Sequence, residues 1–149
     1  MQLIGLIILL FFFRNEETSE YVFHPINAFH LLKRTAQLMP KLKQKMPKLK
    51  FNYNLRSLSD DYTNAHIGLA DLLEYMDIDP NEMAKGEMKN FISNNIYKSN
   101  SGLSPEELYQ IAQEAKKLTY MDGQVKWINA ALMEAKNKTK DAKFINKLK

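Results

Sequence analysis

The sequence predicts an all-α fold, and three observations support this class. The chain has 149 residues and 45% hydrophobic content, enough for one ordinary domain or two small helical modules. It contains only five glycines and five prolines, which leaves little of the turn chemistry that repeated strands need. Apolar residues recur at helical spacing along several segments. We expect a short N-terminal helical module followed by a helical hairpin.

Residues 1–19 form an apolar leader, which we interpret as a secretory signal peptide. The run "LIGLIILLFFF" at 3–13 is too short to cross a bilayer as a helix but matches the core of a signal sequence. No Lys or Arg precedes it and no small-x-small pattern follows, so a buried first segment is the alternative. No stable membrane span is predicted.

The first predicted helix covers residues 25–38. Pro25 suits the first helical position and disfavours an α conformation at His24, which should lie just outside the helix. Its apolar residues form a stripe wide enough to touch two neighbours: Ile26, Ala28, Phe29, Leu31, Leu32, Ala36, Leu38 and Met39.

The three histidines do not suggest a metal site. Six helical residues turn a side chain by about 240°, so His24 and His30 point in different directions. His66 lies in another segment, and none of the three is followed by x-Asp or x-Glu. We interpret them as structural or exposed histidines and expect no metal ligands.

The stretch after this helix is basic, with no acidic residue between Glu20 and Asp60. The unit Met-Pro-Lys-Leu-Lys occurs at 39–43 and again at 46–50, and its two prolines argue against a long helix. The lysines could meet an anionic membrane or phosphates, but aromatic residues for base stacking are missing. A solvated basic connector is the preferred interpretation, and no nucleic-acid partner is expected.

Two further helices are predicted before residue 87. The first covers 61–76, with apolar residues spaced for a single buried face. In the second, Asp79 is the expected cap, Pro80 the first residue, Glu82 the capping-box partner and Gly86 the stop. Residues 87–102 lack periodicity and are rich in Asn and Ser, so we place a boundary between two modules there.

The sequence of the C-terminal part predicts a helical hairpin of tetratricopeptide-repeat size. Ser104, Pro105 and Glu107 form a capping box, and the chain should turn around Asp122-Gly123. The inner stripe of the first helix is Leu108, Ile111, Ala112, Ala115 and Leu118. The inner face of the second is Val125, Ile128, Leu132 and Ala135, with Trp127 and Ala131 beside it. One such repeat cannot bury its own core and needs neighbours or a cap.

Three ordered segments together resemble a known family. They are "HPINAFHLLKR", "NAHIGLADLLEYMDIDPNEMAKGEM" and "LSPEELYQIAQEAKKLTYMDGQVKWINAAL", spread over roughly residues 20–138. In kind and order they resemble the α subunit of collagen prolyl 4-hydroxylase, in its N-terminal and peptide-substrate-binding regions. The resemblance divides the chain into an N-terminal region at 20–92 and a partial, tetratricopeptide-like substrate-binding domain at 103–149.

The resemblance implies recognition of proline-rich, collagen-like peptides, with Tyr109, Tyr120 and Trp127 as the candidate aromatic surface. Hairpin core is the competing interpretation for these three residues. The family often has tyrosines where this chain has Lys116 and Met121, so we expect weak binding.

The family's catalytic domain uses Fe²⁺, 2-oxoglutarate and ascorbate. No residue here corresponds to its His-x-Asp motif, so we expect no catalytic residue and no cofactor in this chain. The resemblance also implies residence in the endoplasmic reticulum lumen, pairing with a protein disulfide isomerase-type β subunit, and a possible glycan at Asn137. A stand-alone helical interaction module and a non-functional truncated paralogue, or an incomplete gene model, are the alternatives.

Overall fold

The computed structural model describes residues 24–46, 55–89, 96–138 and 145–146, and confirms the all-α class. Within these ranges it has five α-helices and one small antiparallel sheet. The elements are α1 (Pro25–Lys45), α2 (Leu55–Met76), α3 (Pro80–Ala84), β1 (Glu87–Lys89), β2 (Ile96–Lys98), α4 (Pro105–Lys117) and α5 (Met121–Lys138). The apolar leader at 1–19 lies outside the described residues. None of the described helices combines the length and apolarity needed to cross a bilayer.

Helix α1 begins where the sequence predicts but runs further. The His24 ring accepts a hydrogen bond from the Ile26 N–H at 3.2 Å, and Pro25 occupies the first turn. The helix then continues past Pro40 to Lys45, so the predicted end at residue 38 and the non-helical connector at 39–45 are wrong. Pro40 has no N–H to donate to the carbonyl of Ala36, but Ala36 is only partly buried, so water can reach that carbonyl.

The predicted broad inward face of α1 is also wrong. Only Ile26 and Phe29 on this helix are buried. Leu31 and Leu38, which were expected to touch a second neighbour, are 43% and 53% exposed. The helix packs on α2, and its two buried residues lie in its first two turns.

Helix α2 is longer than predicted, starting at Leu55 instead of residue 61. It ends before Asp77, whose φ of 48° breaks the helix. Helix α3 follows with the predicted cap, since Asp79 accepts the Asn81 N–H at 2.8 Å. The predicted stop is confirmed as well, because Gly86 has φ of 81°, which favours glycine.

The segment 87–102, expected to lack regular structure, contains a short hairpin. Strand β1 pairs antiparallel with β2, and Met88 lies opposite Tyr97. Its far end is tied to α1, because the Asn100 N–H bonds to Asn27 Oδ1 at 3.2 Å and the Ser101 hydroxyl lies 3.0 Å from His30 Nδ1. These contacts have sequence separations above 70 residues, which local periodicity does not report.

Helices α4 and α5 form the predicted antiparallel pair with two differences. The capping box of Ser104 and Glu107 is confirmed, but α5 already begins at Met121, so the turn lies at 118–120 and not at Asp122-Gly123. The inner face of α5 is rotated, because Trp127 is fully buried while Val125 is 57% exposed. Val125 and Trp127 are two positions apart, which places their side chains about 200° from each other around the helix, so α5 cannot bury both. Burying the Trp127 indole removes far more apolar area from water than burying a valine side chain would.

One hydrophobic cluster joins the helices that precede the β-hairpin of β1 and β2 to the helices that follow it. Helix α4 packs on α2 as well as on α5, and α3 packs on α5. The cluster includes Ile26 and Phe29 of α1, Leu69 and Leu73 of α2, Met83 of α3, Leu108 and Ile111 of α4, and Trp127 and Ala131 of α5. The boundary between an N-terminal region at 20–92 and a second domain at 103–149 stays a prediction from the sequence. In the structure, helices from both regions contribute to this one core.

Candidate functional site

The three aromatic residues predicted to bind peptide lie at different depths. Trp127 is fully buried, so its ring offers no surface to a ligand in this structure and belongs to the core, as the competing interpretation held. Tyr109 on α4 is half-buried and packs against the core cluster. Tyr120, in the turn between α4 and α5, is half-buried with its hydroxyl directed toward α2.

Tyr120 forms a surface pair with Tyr75, a residue that sequence reasoning missed. The two rings are 6.2 Å apart between centroids and 87° to each other, an edge-to-face geometry that aromatic pairs prefer. Their hydroxyl oxygens are 3.2 Å apart, and Tyr120 donates to Asp71 Oδ1 at 3.0 Å. We call Tyr75 and Tyr120 the tyrosine pair.

Asp71 and Tyr75 are four residues apart on α2, and this spacing in the sequence indicates that their side chains are neighbours on one face of the helix. Nothing local indicated that a tyrosine 45 residues further along the chain would join them. Tyr75 is 75% exposed and presents its ring to solvent. The pair therefore offers aromatic surface and a hydroxyl at one place.

Hydrogen bonding favours the neutral form of the Tyr120 hydroxyl. The bond from Tyr75, together with partial burial and the Asp71 carboxylate, raises the pKa of Tyr120 above its usual range. Tyr120 is therefore a neutral hydroxyl near pH 7. Lys126 lies 3.4 Å from Asp77 at the border of this surface, where both side chains are exposed and the ion pair contributes little.

A second polar cluster lies deeper, around Glu107 at the start of α4. This carboxylate is 3% exposed, accepts the Ser104 N–H at 2.6 Å and lies 2.7 Å from Lys33 Nζ. His30 Nε2 is 3.4 Å away. Burial acts to raise the pKa of Glu107, but the hydrogen bonds from His30, Lys33 and Ser104 outweigh it and lower the pKa to about 2. The cluster joins α1 to α4.

The histidines make structural contacts, in agreement with their interpretation from the sequence. Burial lowers the pKa of His24, which keeps the ring neutral and able to cap α1. His66 packs edge-on against Phe29 at 4.9 Å and contacts Gln110 Oε1 at 3.1 Å. No group of three or more metal-binding side chains was found among the residues that the structure describes.

Comparison with known proteins identifies the family. The family model for the prolyl 4-hydroxylase alpha-subunit, N-terminal region, matches residues 13–90, just over half of the chain. The chain belongs to this family. No curated protein and no solved structure matches the sequence. Residues after 90, which carry the hairpin of α4 and α5, lie beyond the matched region, so their tetratricopeptide-like character stays a prediction.

Proposed function

We propose that this chain recognises proline-rich, collagen-like peptides as a non-catalytic part of a prolyl 4-hydroxylase α subunit. The observation that carries the proposal is the tyrosine pair, which combines residues of the matched region and of the hairpin at one exposed place. The family match supports the same assignment from the sequence side.

The chemistry of the pair suits a polyproline II ligand. Such a chain has no internal hydrogen bonds, so its backbone carbonyls can accept a bond from the Tyr75 hydroxyl, which would exchange its bond to Tyr120 for one to the ligand while Tyr120 keeps its bond to Asp71. Its proline rings pack on flat aromatic faces. Tyr75 provides an exposed ring, and Tyr120 is held against it by the bond to Asp71.

The binding should be weak because the aromatic surface is small. Trp127 is buried, and an exposed Lys116 stands where the family resemblance suggests a tyrosine. We expect a (Pro-Pro-Gly)-repeat peptide to bind in the millimolar range, roughly −4 kcal/mol. Titration followed by NMR should place the shifted amides around Tyr75 and Tyr120.

Variants make this peptide experiment decisive. Tyr75→Ala should abolish the shifts, Lys116→Tyr should strengthen binding, and Tyr97→Ala, an exposed tyrosine on β2, serves as the matched control. Micromolar binding by the unmodified chain, or equal losses from the Tyr75 and Tyr97 variants, would show that the surface is wrongly placed.

We further propose that the protein resides in the endoplasmic reticulum lumen and is glycosylated at Asn137. This residue is exposed on the last turn of α5 and begins the sequon Asn137-Lys138-Thr139. Expression in secretory cells should give a product whose mass falls after glycosidase treatment, and Asn137→Gln should remove the difference. A secreted but unglycosylated wild-type chain would contradict the prediction.

A further inference from the structure

Helix α1 carries an exposed apolar stripe on its outer side. Leu31, Leu38 and Leu42 are 43%, 53% and 41% exposed. Residues 7 and 11 positions apart on a helix lie within about 20° of one another, so these three side chains share one line along α1. We call them the leucine stripe.

Three cations border this stripe, and a fourth lies about 120° around the helix from it. Helical geometry places Arg34, Lys41 and Lys45 along one side of it and Lys43 toward the other, and all four are exposed. No acidic residue occurs on α1, and no carboxylate within the described ranges forms an ion pair with these four side chains. The cation that is neutralised, Lys33, points inward to Glu107.

We propose that this face of α1 binds the surface of an anionic membrane, with the helix lying in the plane of the interface. The leucines would enter the boundary between headgroups and acyl chains, while the long cationic side chains reach the phosphates beside them. The positive charge of the face is complementary to such a surface.

Other occupants fit this face less well. Pairing the stripe with that of a second copy would bring Arg34, Lys41 and Lys45 close to like charges with no carboxylate to offset them. A protein groove is usually anchored by Trp, Tyr or Arg, with leucine under-represented, and the exposed apolar residues here are leucines.

A site-resolved experiment tests the proposal in the full chain. Because the sequence has no cysteine, Leu42→Cys and Gln44→Cys can each carry one polarity-sensitive fluorophore. The two positions are exposed and about 160° apart around α1. With phosphatidylserine-containing vesicles, the label at 42 should shift to the blue and be quenched by lipid-borne quenchers, while the label at 44 stays in water. Equal responses, or none at 42, would overturn the proposal.

A second measurement separates specific binding from general attraction. Each Lys or Arg at an anionic surface contributes about fivefold to partitioning, so Lys41→Gln with Lys45→Gln should weaken binding about 25-fold. Lys85→Gln with Lys136→Gln, on α3's cap and on α5, removes the same charge and should change it by less than about threefold. Equal losses from both double variants would refute the assignment to α1.

Self-association is checked separately by light scattering without vesicles. Leu38→Gln should leave the mass unchanged, because the stripe is proposed to face lipid and not a second copy. A lower mass for this variant than for the wild type would assign the stripe to an interface between copies and overturn the membrane proposal.

Discussion

Replacing Trp127 with alanine is expected to lower the free energy of unfolding by about 3–5 kcal/mol. The indole is fully buried within the cluster that unites the helices before and after the β-hairpin. Its removal takes apolar contacts away and leaves a cavity that neighbouring alanines such as Ala130 and Ala131 cannot fill. Urea denaturation followed by circular dichroism would measure the loss.

Val125→Ala is the matched control, because this residue lies on the same helix but is 57% exposed. Its cost should stay below about 0.5 kcal/mol. The pair of variants also tests how α5 is rotated. A large cost for Val125→Ala with a small one for Trp127→Ala would mean that the opposite side of α5 faces the core.

Glu107→Gln should destabilise the protein by about 2–4 kcal/mol near neutral pH. The substitution preserves the shape of the side chain but removes the charge that Lys33 and His30 approach. The carboxylate is buried, whereas Lys33 is one-third exposed and can partly recover its hydration, which limits the cost. Denaturant unfolding of the variant and wild type at equal pH measures this difference.

The stability difference should depend on pH in a defined direction. Because the folded pKa of Glu107 is about 2 and its ordinary value is 4.5, its contribution is fully present above 4.5 and lost as the pH falls toward 2. Wild type and Glu107→Gln should therefore converge in acid. A difference that stays constant between these two pH values would show that the carboxylate is not held in its ionised form.

Glu114→Gln provides the control for this series. Glu114 lies on the same helix and forms an ion pair at 2.7 Å with Lys117, whose side chain is 67% exposed, while the Glu114 side chain is 16% exposed against 4% for Glu107. Such i, i+3 pairs contribute about 0.5 kcal/mol or less. If Glu114→Gln lowered the free energy of unfolding as much as Glu107→Gln does, the burial of the Glu107 carboxylate would not be the cause of the destabilisation.

The starts of three helices followed directly from the sequence. A proline in the first turn marks each of them, at Pro25, Pro80 and Pro105, and Asp79 and Ser104 were predicted as caps, whereas capping by the His24 ring was found only in the structure. Capping uses atoms within three residues of one another, so it can be read without knowledge of the rest of the fold. The helical class and the family resemblance of the N-terminal region could also be predicted, because periodicity and sequence motifs depend only on residues close together in the chain.

Only the tertiary structure decided where α1 ends, how α5 is rotated and which aromatic residues reach the surface. Tyr75 and Tyr120 meet across 45 residues, and Lys33 reaches Glu107 across 74. Such contacts depend on how whole helices pack, because burying the largest apolar surfaces sets the orientation of each helix and polar side chains then find partners at the seams. A local apolar pattern is compatible with several rotations of a helix, and packing around Trp127 selected one of them.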